Sequence, residues 1–250
     1  MSDCILEVSG VTVSFDGFKV LDNLNFSIGY GELRFLIGPN GAGKSTLLDI
    51  VTGKTQADKG KVTFDQTVNC GRVSEHQLVR HGIGRKFQTP SVFGSLSVYE
   101  NLEAAIGFKT NVFKLGGRLS GEQRDKIDET LEITNLAERQ DIPSETLSHG
   151  QKQWLEIGML LVQEPKLMLL DEPVAGMTRR ERDHTGELLQ RIGKNRSILV
   201  VEHDMVFVRQ FATTVTVLHM GKLLCEGPVE QVQADPHVIE VYLGRGHQAA

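Results

Sequence analysis

Apolar and polar positions alternate with two periods along this chain, and the changes of period mark its parts. Residues 5–15, ILEVSGVTVSF, are rich in β-formers and partly alternate. They predict an edge hairpin or antiparallel strand ending at the Asp16–Gly17 turn. Residues 24–28 predict another strand, and the unbroken apolar run Leu33–Ile37 suits a strand buried on both faces. Leu47–Val51 is helical, with Gly53 as its expected C-cap. A short strand is expected at Gly60–Phe64, a weak helix at 75–81, and a strand at Ile83–Phe87 leading into Gln88.

From Ser97 to Ala137 the period is helical and polarity rises, with Val98, Leu102, Ala105 and Ile106 on one face. Asn111–Ser120 predicts a loop, and Glu122–Leu136 a second amphipathic helix. Ser148 with Gln151 forms a capping box that opens a third helix, whose buried face is Trp154, Ile157, Gly158 and Leu161. Pro165 stops it. Leu167–Leu170 and Ser197–Val201 read as buried strands. Between them a polar helix opens at the Thr178–Glu181 capping box and runs to about Ile192. A helix after His203, strands at Thr214–His219 and Lys222–Glu226, and short helices near 228–233 and 236–243 follow. Strands alternating with helices predict an α/β fold, a mostly parallel sheet with flanking helices and right-handed crossovers. The expected division is a core of 1–88 and 162–250, carrying an N-terminal antiparallel β subdomain, with a helical subdomain 89–161 inserted.

Composition narrows the class. The chain has 250 residues, 40% hydrophobic and 24% charged, as a globular domain does. A net charge of -5 without a long basic block argues against a nucleic-acid partner. Three widely spaced cysteines suggest neither a disulfide framework nor a metal site. No apolar run reaches the roughly 18 residues of a membrane span, and the start of the sequence lacks signal-peptide regions.

The chemistry centres on Gly38–Thr46, GPNGAGKST, set between a predicted strand and a predicted helix. That context suits a phosphate-binding loop. Gly38, Gly41 and Gly43, with Pro39, Asn40 and Ala42 between them, let the backbone curl so that N–H groups point at phosphates. Lys44 is expected on the β- and γ-phosphates of a nucleotide, Ser45 on Mg²⁺ and Thr46 on a phosphate. Asp171 and Glu172 end an apolar strand, where open α/β sheets bind ligands. Asp171 is expected to hold Mg²⁺ through water. Glu172 is expected to polarise the attacking water as general base. His203 ends another strand and is either a structural partner of a carboxylate or a donor to the γ-phosphate. Gln88 can contact Mg²⁺ or water. Phe15 is either core or a stacking platform for a base.

In order along the chain, GPNGAGKST, Gln88, LSHGQ (147–151), LMLLDEP (167–173) and His203 resemble the motifs of ATP-binding subunits of ABC transporters. GIGRKFQTPSVFGSLSVYENL (82–102), VVEHDM (200–205) and VIEVYLG (238–244) resemble the branched-chain amino acid and amide importers. LSHGQ with PVAGMT (173–178) is most similar to the urea-type members. The resemblance implies the ABC ATPase fold, a P-loop NTPase core, with ATP and Mg²⁺ as ligands. It implies a head-to-tail pairing with a second ABC ATPase subunit and work with two transmembrane permease subunits. A solute-binding protein would act indirectly, and the place of work would be the cytoplasmic face of the membrane. It also implies that Ser148, His149, Gly150 and Gln151 serve the partner's nucleotide in trans, and that Phe15 stacks on adenine.

Two positions depart from the family pattern. His149 replaces the usual signature glycine, and Ala175–Thr178 lacks the usual aspartate. The His149 ring either joins the phosphate clamp or points aside while the main chain makes the contact. LSGEQ (119–123) resembles the signature too, but leads into a charged helix and is taken as a polar helix start. Phe93 and Tyr99 are expected to be exposed, lining a groove for a permease helix. The rival class, a soluble ABC-type ATPase acting on nucleic acid or ribosomes, lacks support in paired nucleotide domains or a basic stripe.

Overall fold

The computed structural model describes residues 4–86, 91–107 and 119–243. In chain order its elements are β1 (Cys4–Phe15), β2 (Phe18–Gly29), β3 (Leu33–Ile37), α1 (Lys44–Val51), β4 (Lys59–Phe64), β5 (Val68–Asn69), α2 (Glu75–His81), β6 (Ile83–Lys86), α3 (Val98–Gly107) and α4 (Gly121–Ile133). Then come α5 (His149–Leu161), β7 (Leu167–Asp171), α6 (Arg179–Gly193), β8 (Ser197–Val201), α7 (Met205–Phe211), β9 (Thr214–His219), β10 (Lys222–Pro228), α8 (Val229–Ala234) and α9 (Pro236–Leu243).

The apolar runs LRFLI, LMLLD and SILVV become β3, β7 and β8, the middle of a six-stranded sheet ordered β10-β9-β3-β8-β7-β6. All of its pairings are parallel except β10 with β9. Successive residues point to opposite faces, so this sheet divides two cores. Phe35, Ile37, Met168, Leu170, Ile198 and Val200 face one, shared with buried residues of α3 to α7. Leu36, Leu167, Leu169, Leu199 and Val201 face the other, shared with α1 and the N-terminal strands.

Those strands form a second, antiparallel sheet ordered β2-β1-β4-β5. The expected hairpin is present, but β1 lies inside the sheet between β2 and β4 rather than at its edge. Alternation reports which faces are buried, not which side carries a ladder, so it could not separate the two positions. Two-residue β5 is too short to leave a periodic signal. The helix expected to reach Leu136 stops at Ile133, followed by Thr134 and by Asn135 at φ 57. Thr52, not Gly53, is the C-cap of α1, and Gly53 follows it at φ 75. LSGEQ is a helix start: Ser120 Oγ accepts from Gln123 N at 3.2 Å and Gln123 Oε1 from Ser120 N at 2.9 Å. Phe87, Gln88 and the greater part of the expected 111–120 loop lie outside the described residues.

Candidate active site

β3 delivers the chain to the loop and α1 takes it away. Glycine is required at both ends. A Cβ on Gly38 would lie 2.2 Å from Leu218 O on neighbouring β9, and one on Gly43 (φ 100) would lie 2.5 Å from Leu21 Cδ2. Gly43 is also the N-cap of α1, and no side chain caps that helix. Its first amides therefore stay available to an anion. Lys44 Nζ turns back into the loop, donating to Gly38 O at 2.7 Å and Pro39 O at 3.1 Å. Burial lowers the ammonium pKa of Lys44, while the charges of Glu172 and Asp171 oppose that shift.

Val20, residues 40–46, Asp171, Glu172 and Val201 line one cleft of about 330 Å³. The sequence motifs on either side of it, more than a hundred residues apart, thus meet because β3 and β7 both flank β8. Burial pushes the Asp171 carboxyl above its usual range, opposed by the Arg85 guanidinium 3.7 Å away. Glu172 takes φ 48, a left-handed conformation rare for this residue type, and its N–H donates to Val201 O at 2.9 Å. The turn sets Glu172 Oε1 3.2 Å from His203 Nδ1. Glu202, 1% exposed, braces both neighbours: its carboxylate accepts from Val174 N at 3.3 Å and His203 N at 3.1 Å. Burial raises its pKa to about 7.

Ser148, His149, Gly150 and Gln151 do not line this cleft; they form the start of α5. Ser148 Oγ accepts from Gln151 N at 3.2 Å and donates to Glu181 Oε1 at 3.2 Å. Thr178 N and Oγ1 also donate to Glu181, and these bonds hold its carboxyl below the usual range. His149 Nε2 lies 3.0 Å from Ala175 O. Phe15 is 49% exposed at the tip of the β1–β2 hairpin, opposite Phe18, so it is not a core residue; it does not line the cleft. Phe93 is 48% exposed, but Tyr99, expected outside, packs partly against the core.

A sequence model of the family described as "ABC transporter" matches residues 21–175, which carry both banks of the cleft. The chain belongs to the ABC transporter family. A second model, "Branched-chain amino acid ATP-binding cassette transporter", matches residues 222–248. The high-affinity branched-chain amino acid transport ATP-binding protein BraF of Pseudomonas aeruginosa is 33% identical over 254 residues, covering 98% of this chain and 99% of that protein. LivG of Escherichia coli K12, which carries the same description, is 32% identical over 255 residues, with 98% and 99% covered. Among solved structures, the ATP-binding cassette MJ1267 in its ADP conformation matches with a TM-score of 0.84 and 31% identity, covering 96% of this chain and 99% of that one. cbiO1 of Clostridium perfringens matches with a TM-score of 0.82 and 31% identity, covering 99% of each. This ABC cassette is thus an ATPase, the ATP-binding subunit that couples hydrolysis to transport.

Around the cassette's cleft lies a charged layer that motif reading did not single out. Arg85 NH1 reaches Asp49 Oδ1 at 2.5 Å, tying α1 to β6. Lys86 Nζ lies 3.5 Å from Glu156 Oε2 on α5, and Glu156 also accepts from Ser91 N. The adjacent cations in an otherwise apolar strand were the available signal, since a buried charge needs a partner. No helix among the described residues is long and apolar enough to cross a membrane.

Proposed function

We propose that this cassette energises uptake of urea, a short amide or a branched-chain amino acid, as one member of a head-to-tail ATPase pair on two permease subunits at the cytoplasmic face of the membrane. The observation that carries the site reading is the single cleft joining residues 40–46 to Asp171 and Glu172. In this reading Gly38 to Thr46 hold the triphosphate and Phe15 stacks on adenine. Glu172 accepts the proton of the attacking water, and His203 donates to the γ-phosphate. The described donors fit Mg²⁺: the Ser45 hydroxyl and the Asp171 carboxylate line one cleft and would hold the ion, with Gln88 as the expected further ligand. When bound, the ion would neutralise charge on the phosphates. Ser148, Gly150, Gln151 and the main chain of His149 meet the nucleotide bound by the partner cassette.

The helical segment 89–161 is the part that meets the permeases, with exposed Phe93 offered outward. The solute range rests on the names of the relatives and on the likeness of LSHGQ and PVAGMT to urea-type members. The test is reconstitution with the permeases and a sister cassette in vesicles, supplying solute-binding protein loaded with urea, acetamide or leucine. ATP hydrolysis is expected to rise with at least one of them. Stimulation by none removes the solute reading. Glu172→Gln is expected to bind ATP, accumulate as an ATP-held dimer and lose about 10²–10⁴-fold in turnover. Full turnover in that variant removes the site reading.

A further inference from the structure

The two departures from the family pattern touch each other. His149 stands in the first turn of α5, and Ala175 and Gly176 stand in the turn that follows Glu172. His149 Nε2 lies 3.0 Å from Ala175 O. A carbonyl only accepts, so Nε2 carries the proton and donates it. Gly176 has φ 72, and a Cβ there would come within 3.3 Å of the same ring nitrogen, so the glycine leaves the ring its seat.

The far end of that link is Glu172. Ala175 N donates to Glu172 O at 3.2 Å, closing the turn. Val174 N, inside the turn, donates to Glu202. Ala175 is therefore held from two sides, by Glu172 through its N–H and by His149 through its carbonyl. A second tie runs parallel, from Ser148 Oγ to Glu181 Oε1. The groups around the ring are the Ala175 carbonyl, the Gln153 Nε2 3.4 Å away, itself a donor that makes no bond to a protonated ring Nε2, and the more distant carboxylates of Glu156 and Glu181.

We propose that His149 is a positioning residue for Glu172: its ring belongs to its own chain, where it locks the Glu172–Gly176 turn to the start of α5. The main-chain donors of α5 remain for a partner's nucleotide, and the ring does not join them. When α5 shifts, the turn carrying Glu172 shifts with it. This rests on the reading of Glu172 as general base.

The test is steady-state ATP hydrolysis by the cassette assembled with its partner subunits. His149→Ala is expected to lower kcat about three- to tenfold, the loss of one solvent-accessible hydrogen bond, with KM for ATP changed less than about twofold. His149→Gln places an amide N–H within reach of the same carbonyl and is expected to recover most of the loss. Gly176→Ala is expected to lower kcat in the parent, and to lower it less when His149 is already Ala, because the two residues are in contact. A rise in KM at constant kcat overturns the proposal in favour of a ring that serves nucleotide. Wild-type kinetics in His149→Ala overturns it, as does a loss that Gln does not repair. The Glu172→Gln control separates the two readings. If that variant is inactive and His149→Ala behaves as wild type, only this inference fails; if it is fully active, the site reading fails first.

Discussion

The helices α1 and α5 each carry a glycine at their start, and they treat their first amides in opposite ways. α1 opens at Gly43, which offers no side chain, and its first turn holds no acidic residue. α5 opens at Ser148, whose hydroxyl and whose partner Gln151 satisfy two donors reciprocally, with the Glu181 carboxylate against the same turn. The first arrangement leaves donors for an anion to satisfy; the second satisfies part of its own. A nucleotide is thus expected to be held by α1 in the isolated chain, whereas the start of α5 becomes a phosphate site only when a partner brings one to it.

The largest effect expected from this contrast is at Lys44. Lys44→Ala removes the ammonium that, among the described residues, lines the cleft, and is expected to cut turnover on the order of a thousandfold, about 4 kcal/mol in barrier. A phosphate-release assay at saturating ATP checks it, and a loss below tenfold breaks the assignment of α1 as the primary site.

Glu202 follows the α5 solution in the interior, where a buried carboxylate satisfies main-chain donors. Its folded pKa of about 7 stands above the ordinary 4.5, so the folded state keeps a proton that the unfolded chain loses. Stability is therefore expected to fall as pH rises between those values and to level off above them. Relative to Glu202→Gln, the wild type is expected to lose roughly 3 kcal/mol across that window. Urea denaturation of both proteins at several pH values measures the slope, and parallel curves refute it.

The smallest effects compare the two glycines directly. Gly43→Ala meets φ 100 and a Leu21 methyl at 2.5 Å, and is expected to cost about 2 kcal/mol with loss of ATP binding. For Gly150→Ala the nearest atoms belong to the Glu181 side chain, Oε1 at 2.4 Å, which can move aside at the expense of its bonds to Ser148 and Thr178. The substitution is expected to cost about 1 kcal/mol, and Glu181→Ala in the same chain is expected to return part of it. Equal costs at the two positions, measured by thermal unfolding, erase the distinction.

The sequence made the sheet legible because β3, β7 and β8 are buried on both faces and read as unbroken apolar runs. It made the cleft legible because GPNGAGKST needs glycines at fixed offsets and the Asp171–Glu172 pair ends a strand. What it did not carry was contact across long separations. Arg85 with Asp49, Lys86 with Glu156 and Glu202 with Val174 depend on which strands neighbour which, and no local period encodes that. The same holds for His149. Its departure from the pattern was visible, but Ala175, 26 positions away, comes beside it only through the packing of α5 against the turn after β7.

Asn101 has a consequence for kinetics of association. It is fully buried, accepts from Phe93 N at 2.8 Å, and donates toward the carbonyls of Phe93, Leu96 and Ser97. Ser144 Oγ donates to Phe93 O at 2.8 Å as well. The backbone that displays the Phe93 ring is thereby fixed before anything touches it. In the proposed docking, a helix arriving at that ring would meet a surface already in its final shape, so contact would not wait for a loop to find its conformation and little chain entropy would be lost on engagement. If Phe93 is the docking knob proposed above, its pre-set backbone favours fast, reversible engagement.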